Sequence, residues 1–147
     1  MHLAPPSFVL ERRINQPLAL VNRAVSTGGP FRTSSPISFR AAGTLVFDTP
    51  LRRTLGSHDP AWRADARLVA RHGRPVARVA ITVDTWSADA TRLQLRPASL
   101  RPDRWSRRRL QRYFRLAHLA ADHVARELDE QSRAPQLQPA PELLKAS

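Results

Sequence analysis

An α+β fold is predicted, an antiparallel β-sheet wrapped around one long C-terminal helix, and three patterns in the chain predict it. Between Trp62 and Arg71 the apolar Trp62, Ala64, Ala66, Leu68 and Ala70 alternate with the charged Arg63, Asp65, Arg67 and Arg71, only Val69 breaking the rule. A second run sets Ala77, Val79, Ile81 and Val83 against Arg78, Ala80, Thr82 and Asp84. It follows the turn residues His72-Gly73-Arg74-Pro75, whose glycine is free to take positive φ. A period of two buries one face of each strand and leaves the other in water, so the hairpin needs a cover. That cover comes after Pro97, where the period changes to 3.6. From Asp103 to about Gln131, Leu110, Phe114, Ala117, Ala121, Val124 and Leu128 share one helix face, widened by Tyr113, Leu116 and Ala120. Such a helix is about 40 Å long at 1.5 Å per residue, enough to cross a whole sheet.

Taken in order, Ser7–Ile14 reads as a strand with Phe8, Leu10 and Ile14 inward and Val9, Glu11 and Arg13 outward; Arg12 falls on the inward side, which places it at the rim. Asn15-Gln16-Pro17 is a helix entry, with Asn15 or Gln16 as cap and the proline near the first position, where it costs no hydrogen bond. Leu18, Val21 and Val25 form the stripe of this short helix, and Thr27-Gly28-Gly29-Pro30 ends it. Phe31–Pro36, rich in serine, threonine and proline, is expected to be a surface loop. Ile37, Phe39, Leu45 and Phe47, interrupted by a bend at Gly43, give one or two strands, and Leu51–Leu55 another short one before the loop Gly56–Pro60. Ser87-Ala88-Asp89-Ala90 makes a second reversal, after which Thr91, Leu93 and Leu95 oppose Arg92, Gln94 and Arg96. Residues 1–6 are read as an N-terminal leader, 7–131 as a single domain, and 132–147, with Pro135, Pro139 and Pro141, as a disordered tail.

At 147 residues the chain suffices for one domain with a real core. It has no cysteine, which excludes disulfides, thiolate metal sites and thiol catalysis. Met1–Pro6 lacks the basic start and apolar stretch of a secretory signal, and no segment approaches the roughly 18 apolar residues of a membrane span, so a cytoplasmic, soluble protein is expected. The net charge is +12 and Lys145 is the only lysine. Arginine binds phosphate and carboxylate through a planar fork, which makes an anionic partner or nucleic acid worth weighing. Arginine for lysine, with abundant alanine and proline, also fits a genome rich in G and C, and that compositional account is preferred for the excess.

The stretch Phe8-Val9-Leu10-Glu11-Arg12-Arg13-Ile14-Asn15-Gln16-Pro17-Leu18-Ala19-Leu20-Val21 resembles the opening strand, small connector and proline-headed helix of the START-like helix-grip fold, also called the SRPBCC or Bet v 1-like superfamily. The element order over residues 7–131 is similar too. Members usually carry a second short helix where Gly28–Pro36 here reads as loop, and six further strands where four or five are placed here. A pleckstrin-homology-like barrel is the nearest rival, but its terminal helix is normally shorter and its chain does not open strand then helix. The resemblance implies a cavity between sheet and helix for a small hydrophobic or aromatic molecule, in a carrier or a non-redox enzyme of cyclase or aromatase type. Its candidate lining residues are Phe39, Leu45, Phe47, Leu68, Ile81, Val83, Trp86, Leu93, Leu95, Phe114, His118 and Ala121, most of which serve equally as plain core.

Motifs of catalysis are missing from the sequence. His118 and His123 are five apart on the helix, not the four a metal pair uses, and no nucleophile elbow, phosphate loop or dinucleotide fingerprint occurs, so no metal and no cofactor are implied. Asp84 points outward by parity. Trp62, Trp86 and Trp105 stand at element ends, where an indole buries its ring and wets its nitrogen. Arg101, Arg104, Arg107, Arg108, Arg109, Arg112 and Arg115 crowd the helix start while Glu127, Asp129 and Glu130 sit at its end, both against the helix dipole. An anion-binding role for Arg104, Arg107, Arg108 and Arg112 competes with a solvated face whose side chains reach Asp84, Asp89 and Asp103 or simply face water, and the solvated face is preferred.

Overall fold

The structure, a computed structural model, describes residues 2–3, 8–27, 30–39, 42–54, 61–99 and 105–137. In chain order the elements are β1 (His2–Leu3), β2 (Leu10–Ile14), α1 (Leu18–Thr27), α2 (Pro30–Thr33), β3 (Ile37–Ser38), β4 (Gly43–Phe47), β5 (Arg52–Arg53), β6 (Trp62–Ala70), β7 (Pro75–Ser87), β8 (Ala90–Ser99), β9 (Trp105–Ser106) and α3 (Arg107–Leu137). The main sheet is antiparallel throughout, in the order β2-β8-β7-β6-β4-β3, with β5 joined to β6. It curls into a half-barrel around α3, as the alternation and the change of period predict. β1 and β9 form a separate two-residue ribbon.

Parity decides which side chains the curl encloses. On β6 the residues Ala64, Ala66 and Leu68 are buried and Arg63 and Asp65 exposed; on β7 Ala77, Val79, Ile81 and Val83 are buried; on β8 Leu93 and Leu95. Register shifts at Leu68/Val69 and at Thr85/Ser87 add local twist at the ends of the central strands. Gly73 takes the positive φ, 82°, that the β6–β7 turn needs. Pro97, within β8, costs no ladder bond on the β2 side, because β2 pairs only as far as Leu95.

Several expectations are corrected. The 31–36 segment is not all loop: Pro30–Thr33 forms α2 and buries Phe31. Ser34 closes it in the left-handed region at φ 58°, and the Ser35 amide donates to the Pro30 carbonyl at 3.1 Å, a helix ending usually given to glycine. With β3 and β4 separate, six strands of the main sheet follow α2 rather than four or five. Neither Asn15 nor Gln16 caps α1. The Pro17 carbonyl accepts the first helical bond from Val21, and the Gln16 carbonyl accepts the hydroxyl of the buried Thr91 at 2.7 Å. α3 starts at Arg107, with Ser106 accepting the Arg109 amide at 3.2 Å, and continues past Gln131 to Leu137. The expected start at Pro102-Asp103, the leader at Ala4–Pro6, the loop Gly56–Pro60 and the tail beyond Leu137 lie outside the described residues.

A single core fills the space between sheet and helices. Tyr113, Leu116, Ala117, Ala120, Ala121, Val124 and Leu128 of α3 are buried against the concave face, and Val21 and Val25 of α1 close it beside Phe31, Phe39 and Phe47. β2 runs alongside α3 in the same direction, since Phe8 stacks edge-on to Tyr113 and Arg12 reaches Asp122.

Candidate functional site

The concave interior gathers most of the residues expected to line it. Phe39, Leu45, Phe47, Leu68, Ile81, Val83, Leu93, Leu95 and Ala121 are all buried in one cluster. Two candidates are not inside. Trp86 is 46% exposed, because its even position shares the outward parity of Asp84 and because the register shift at Thr85/Ser87 leaves it without a partner on β8. His118 is exposed at the edge of α3, where its Nδ1 lies 3.1 Å from Arg12 Nη2. Phe114 is half-buried, tilted against Phe8 with ring centroids 4.9 Å apart; the deeper aromatic is its neighbour Tyr113, 1% exposed. Burial pushes the Tyr113 phenol up to about 12, because the phenolate would lose its hydration.

The same core holds several small side chains, Ala64, Ala66 and Ala77 from the sheet and Ala117, Ala120 and Ala121 from α3, all at most 1% exposed. At Gly43 the two layers meet directly. A β-carbon there would collide with the Val69 carbonyl oxygen and lie 2.9 Å from Leu116 Cδ1.

The rims carry the polar chemistry. Arg12, the odd inward arginine of β2, donates from Nε to Asp122 Oδ1 at 2.8 Å. The signal that could have found this pair was its wrong-side parity on β2. On the opposite flank of α3 the His123 ring stacks on Phe39 at 5.2 Å. Trp62 corrects another expectation, since its Nε1 is buried and has no hydrogen-bond partner among the described residues.

The outer face carries ion pairs. Asp84 does point outward, and Arg92 grips it with both fork nitrogens at 2.8 and 2.7 Å, which raises the arginine pKa, chiefly through that hydrogen bond. Arg67 holds Asp48 at 2.8 Å. A groove of about 450 Å³ runs over the alanines Ala80 and Ala98 between Asp65, Arg78 and Arg96. Among the described residues no group of three or more His, Asp or Glu is placed to hold a metal, and no helix is long and apolar enough to cross a membrane.

Of the anion-binding candidates, Arg107, Arg108 and Arg112 are exposed on the first turns of α3 and Arg104 lies outside the described residues. None of the three reaches Asp84, which belongs to Arg92, or Asp89, which sits in the β7–β8 turn at the far end.

No family model matches the chain, and no curated protein does. Two solved structures are similar to it in part. The Mll3558 protein from Rhizobium loti is 16% identical with a TM-score of 0.38, over 80% of this chain and 95% of that one. TTHA0849 from Thermus thermophilus is 14% identical with a TM-score of 0.39, over 88% of this chain and 99% of that one. Likeness this slight leaves function to the chemistry of the chain itself.

Proposed function

We propose that the chain is a START-like (SRPBCC, Bet v 1-like) helix-grip protein that holds a small hydrophobic or aromatic molecule between its sheet and α3, as a carrier or as a cyclase- or aromatase-like enzyme acting through cavity shape. The observation that carries this reading is the number of small side chains in the core between sheet and helix, Ala64, Ala66 and Ala77 on the strands and Ala117, Ala120 and Ala121 on α3, all buried. Methyl groups in place of leucine or isoleucine reduce the volume the protein itself supplies, and an apolar guest restores the packing. The short helix α2 and the six strands after it agree with the family order.

Hydrophobic fluorescent probes and native mass spectrometry of the purified protein test the reading. Saturable probe binding is expected, and Ala121→Leu, which fills the space, should weaken it by about tenfold, equivalent to about 1.4 kcal/mol. Absence of saturable binding, or an Ala121→Leu variant altered in stability but not in probe affinity, overturns it.

A further inference from the structure

Charge in this chain is segregated along the molecule. Phe8 touches Tyr113 and Phe114, and four positions on Arg12 meets His118 and Asp122, so β2 and α3 start at the same end. The antiparallel register through β8 and β7 to β6 then brings the β6–β7 turn to that end as well. Gly43 agrees: it pairs with Ala70, next to that turn, and nearly touches Leu116, nine residues into α3.

The end so defined presents Arg71 and Arg74 on the turn and Arg107, Arg108, Arg112 and Arg115 on the first turns of α3, all exposed. None of these six makes an ion pair among the described residues. Among the described acids, Glu11 accepts from Gln94, Asp122 is held by Arg12 and Asp48 by Arg67. Asp89, Glu127, Asp129 and Glu130 sit at the far end. Six like charges, two of them (Arg107 and Arg108) in the first turn of α3 at the positive end of its dipole, repel one another, and no described acid is seen paired with them.

We propose that this arginine end docks the phosphate backbone of a nucleic-acid duplex. The shape of the cationic surface favours that partner. Arg108, Arg112 and Arg115 lie at spacings of four and three, one stripe about 10 Å long on α3, and the hairpin tip adds a second line of guanidinium forks, the group best matched to phosphate oxygens. The large apolar side chains exposed among the described residues are Val9 and Trp86, and Trp86 is at the opposite end. Among the described residues this end therefore shows no exposed aromatic platform of the kind that holds single strands, and Val9 alone is too little apolar surface to insert into a lipid interface. It reads phosphates and not bases, and it is independent of what the interior holds.

The test is binding of the full-length protein to a short DNA duplex between about 50 and 200 mM salt. Dissociation constants of about 1–100 μM near physiological salt are expected, with a linear log–log dependence on salt. Arg107→Gln, Arg108→Gln and Arg112→Gln together should flatten the slope by about 2.7, at about 0.9 per phosphate contact. Arg71→Gln with Arg74→Gln, far from α3 in sequence, should flatten it by about 1.8 and guards against a folding defect in the helix variant. The control removes the same charge elsewhere: Arg23, Arg52 and Arg53 replaced by glutamine should leave the slope unchanged. Equal flattening by the control reduces the effect to net charge and overturns the proposal. So does the absence of binding, or tighter binding to vesicles of anionic phospholipid with the same loss in both arginine variants.

Discussion

Arg12 of β2 and Asp122 of α3 are tied at 2.8 Å, and the same guanidinium reaches His118 one turn earlier on the helix. On the other flank, Phe39 stacks on His123 at 5.2 Å. The two histidines, five residues apart, point about 140° from each other around the helix. Each is met by an opposite end of the curled sheet, β2 at one and the β3–β4 turn at the other. The helix is thus clasped along both sides, and its five-residue histidine spacing, useless for a metal, suits a clasp.

The Arg12–Asp122 tie is half in solvent, Asp122 being 54% exposed. A double-mutant cycle with Arg12→Ala and Asp122→Asn should give a coupling of about 0.3–1 kcal/mol that shrinks with salt. Arg12→Ala alone should cost more than Asp122→Asn, because the arginine stem also covers apolar surface beside α3. A coupling of zero at low salt would mean the contact is not populated.

Gly43 sets how closely α3 approaches the sheet. Its φ is ordinary, so the demand is for space and not for backbone freedom. Gly43→Ala places a methyl against the Val69 carbonyl and 2.9 Å from Leu116 Cδ1, and backbone cannot yield as a side chain would. Chemical denaturation should show a loss of about 1–3 kcal/mol, the usual cost of overpacking. A neutral result would show that α3 rides loosely on β4.

Much of this fold was legible because period two and period 3.6 are strong signals wherever one face is buried and the other wet. β6, β7 and β8 alternate over most of their length, and Ala64, Ala66, Leu68, Ala77, Val79, Ile81, Val83, Leu93 and Leu95 are inward as the sequence reads; the exceptions fall at the register shifts near Val69 and Trp86. What was lost is local. α2 is only four residues, closed by Ser34 in a conformation that composition does not announce. At Trp86 hydrophobicity points inward and strand parity outward, and parity wins. The helix stripe read from Leu110, Phe114, Ala117, Ala121, Val124 and Leu128 sits to one side of the buried face, whose deepest aromatic is Tyr113, because on a wide apolar face hydrophobicity alone does not mark the midline. Nor does periodicity show that the β6–β7 turn and the head of α3 share one end; only the strand register does that.

The different depths of Leu116 and Phe114 have a measurable consequence. Leu116 is 6% exposed and Phe114 half-buried against Phe8. Leu116→Ala should therefore cost about 2–5 kcal/mol as a core truncation. Phe114→Ala should cost less than the 3–5 kcal/mol typical of a buried phenylalanine. The reverse order on denaturant titration would turn the helix face by one position.

Tyr113 is the only tyrosine in the chain, so its titration can be followed without interference. Burial pushes its phenol from 10.0 up to about 12. Below about pH 10 both folded and unfolded chains keep the proton, and the phenol adds no pH dependence. Between about pH 10 and 12 the unfolded chain gives up its proton while the folded chain retains it, so stability falls as pH rises through that window. Tyrosinate absorbance should accordingly rise near pH 12 in the native protein and near pH 10 in denaturant, and Tyr113→Phe should remove this part of the alkaline destabilisation. Phe8 covers the ring edge-on at 5.6 Å. Phe8→Ala should admit water and bring the native midpoint down toward 10, whereas a wild-type midpoint already near 10 would mean that the seam between β2 and the head of α3 stands open.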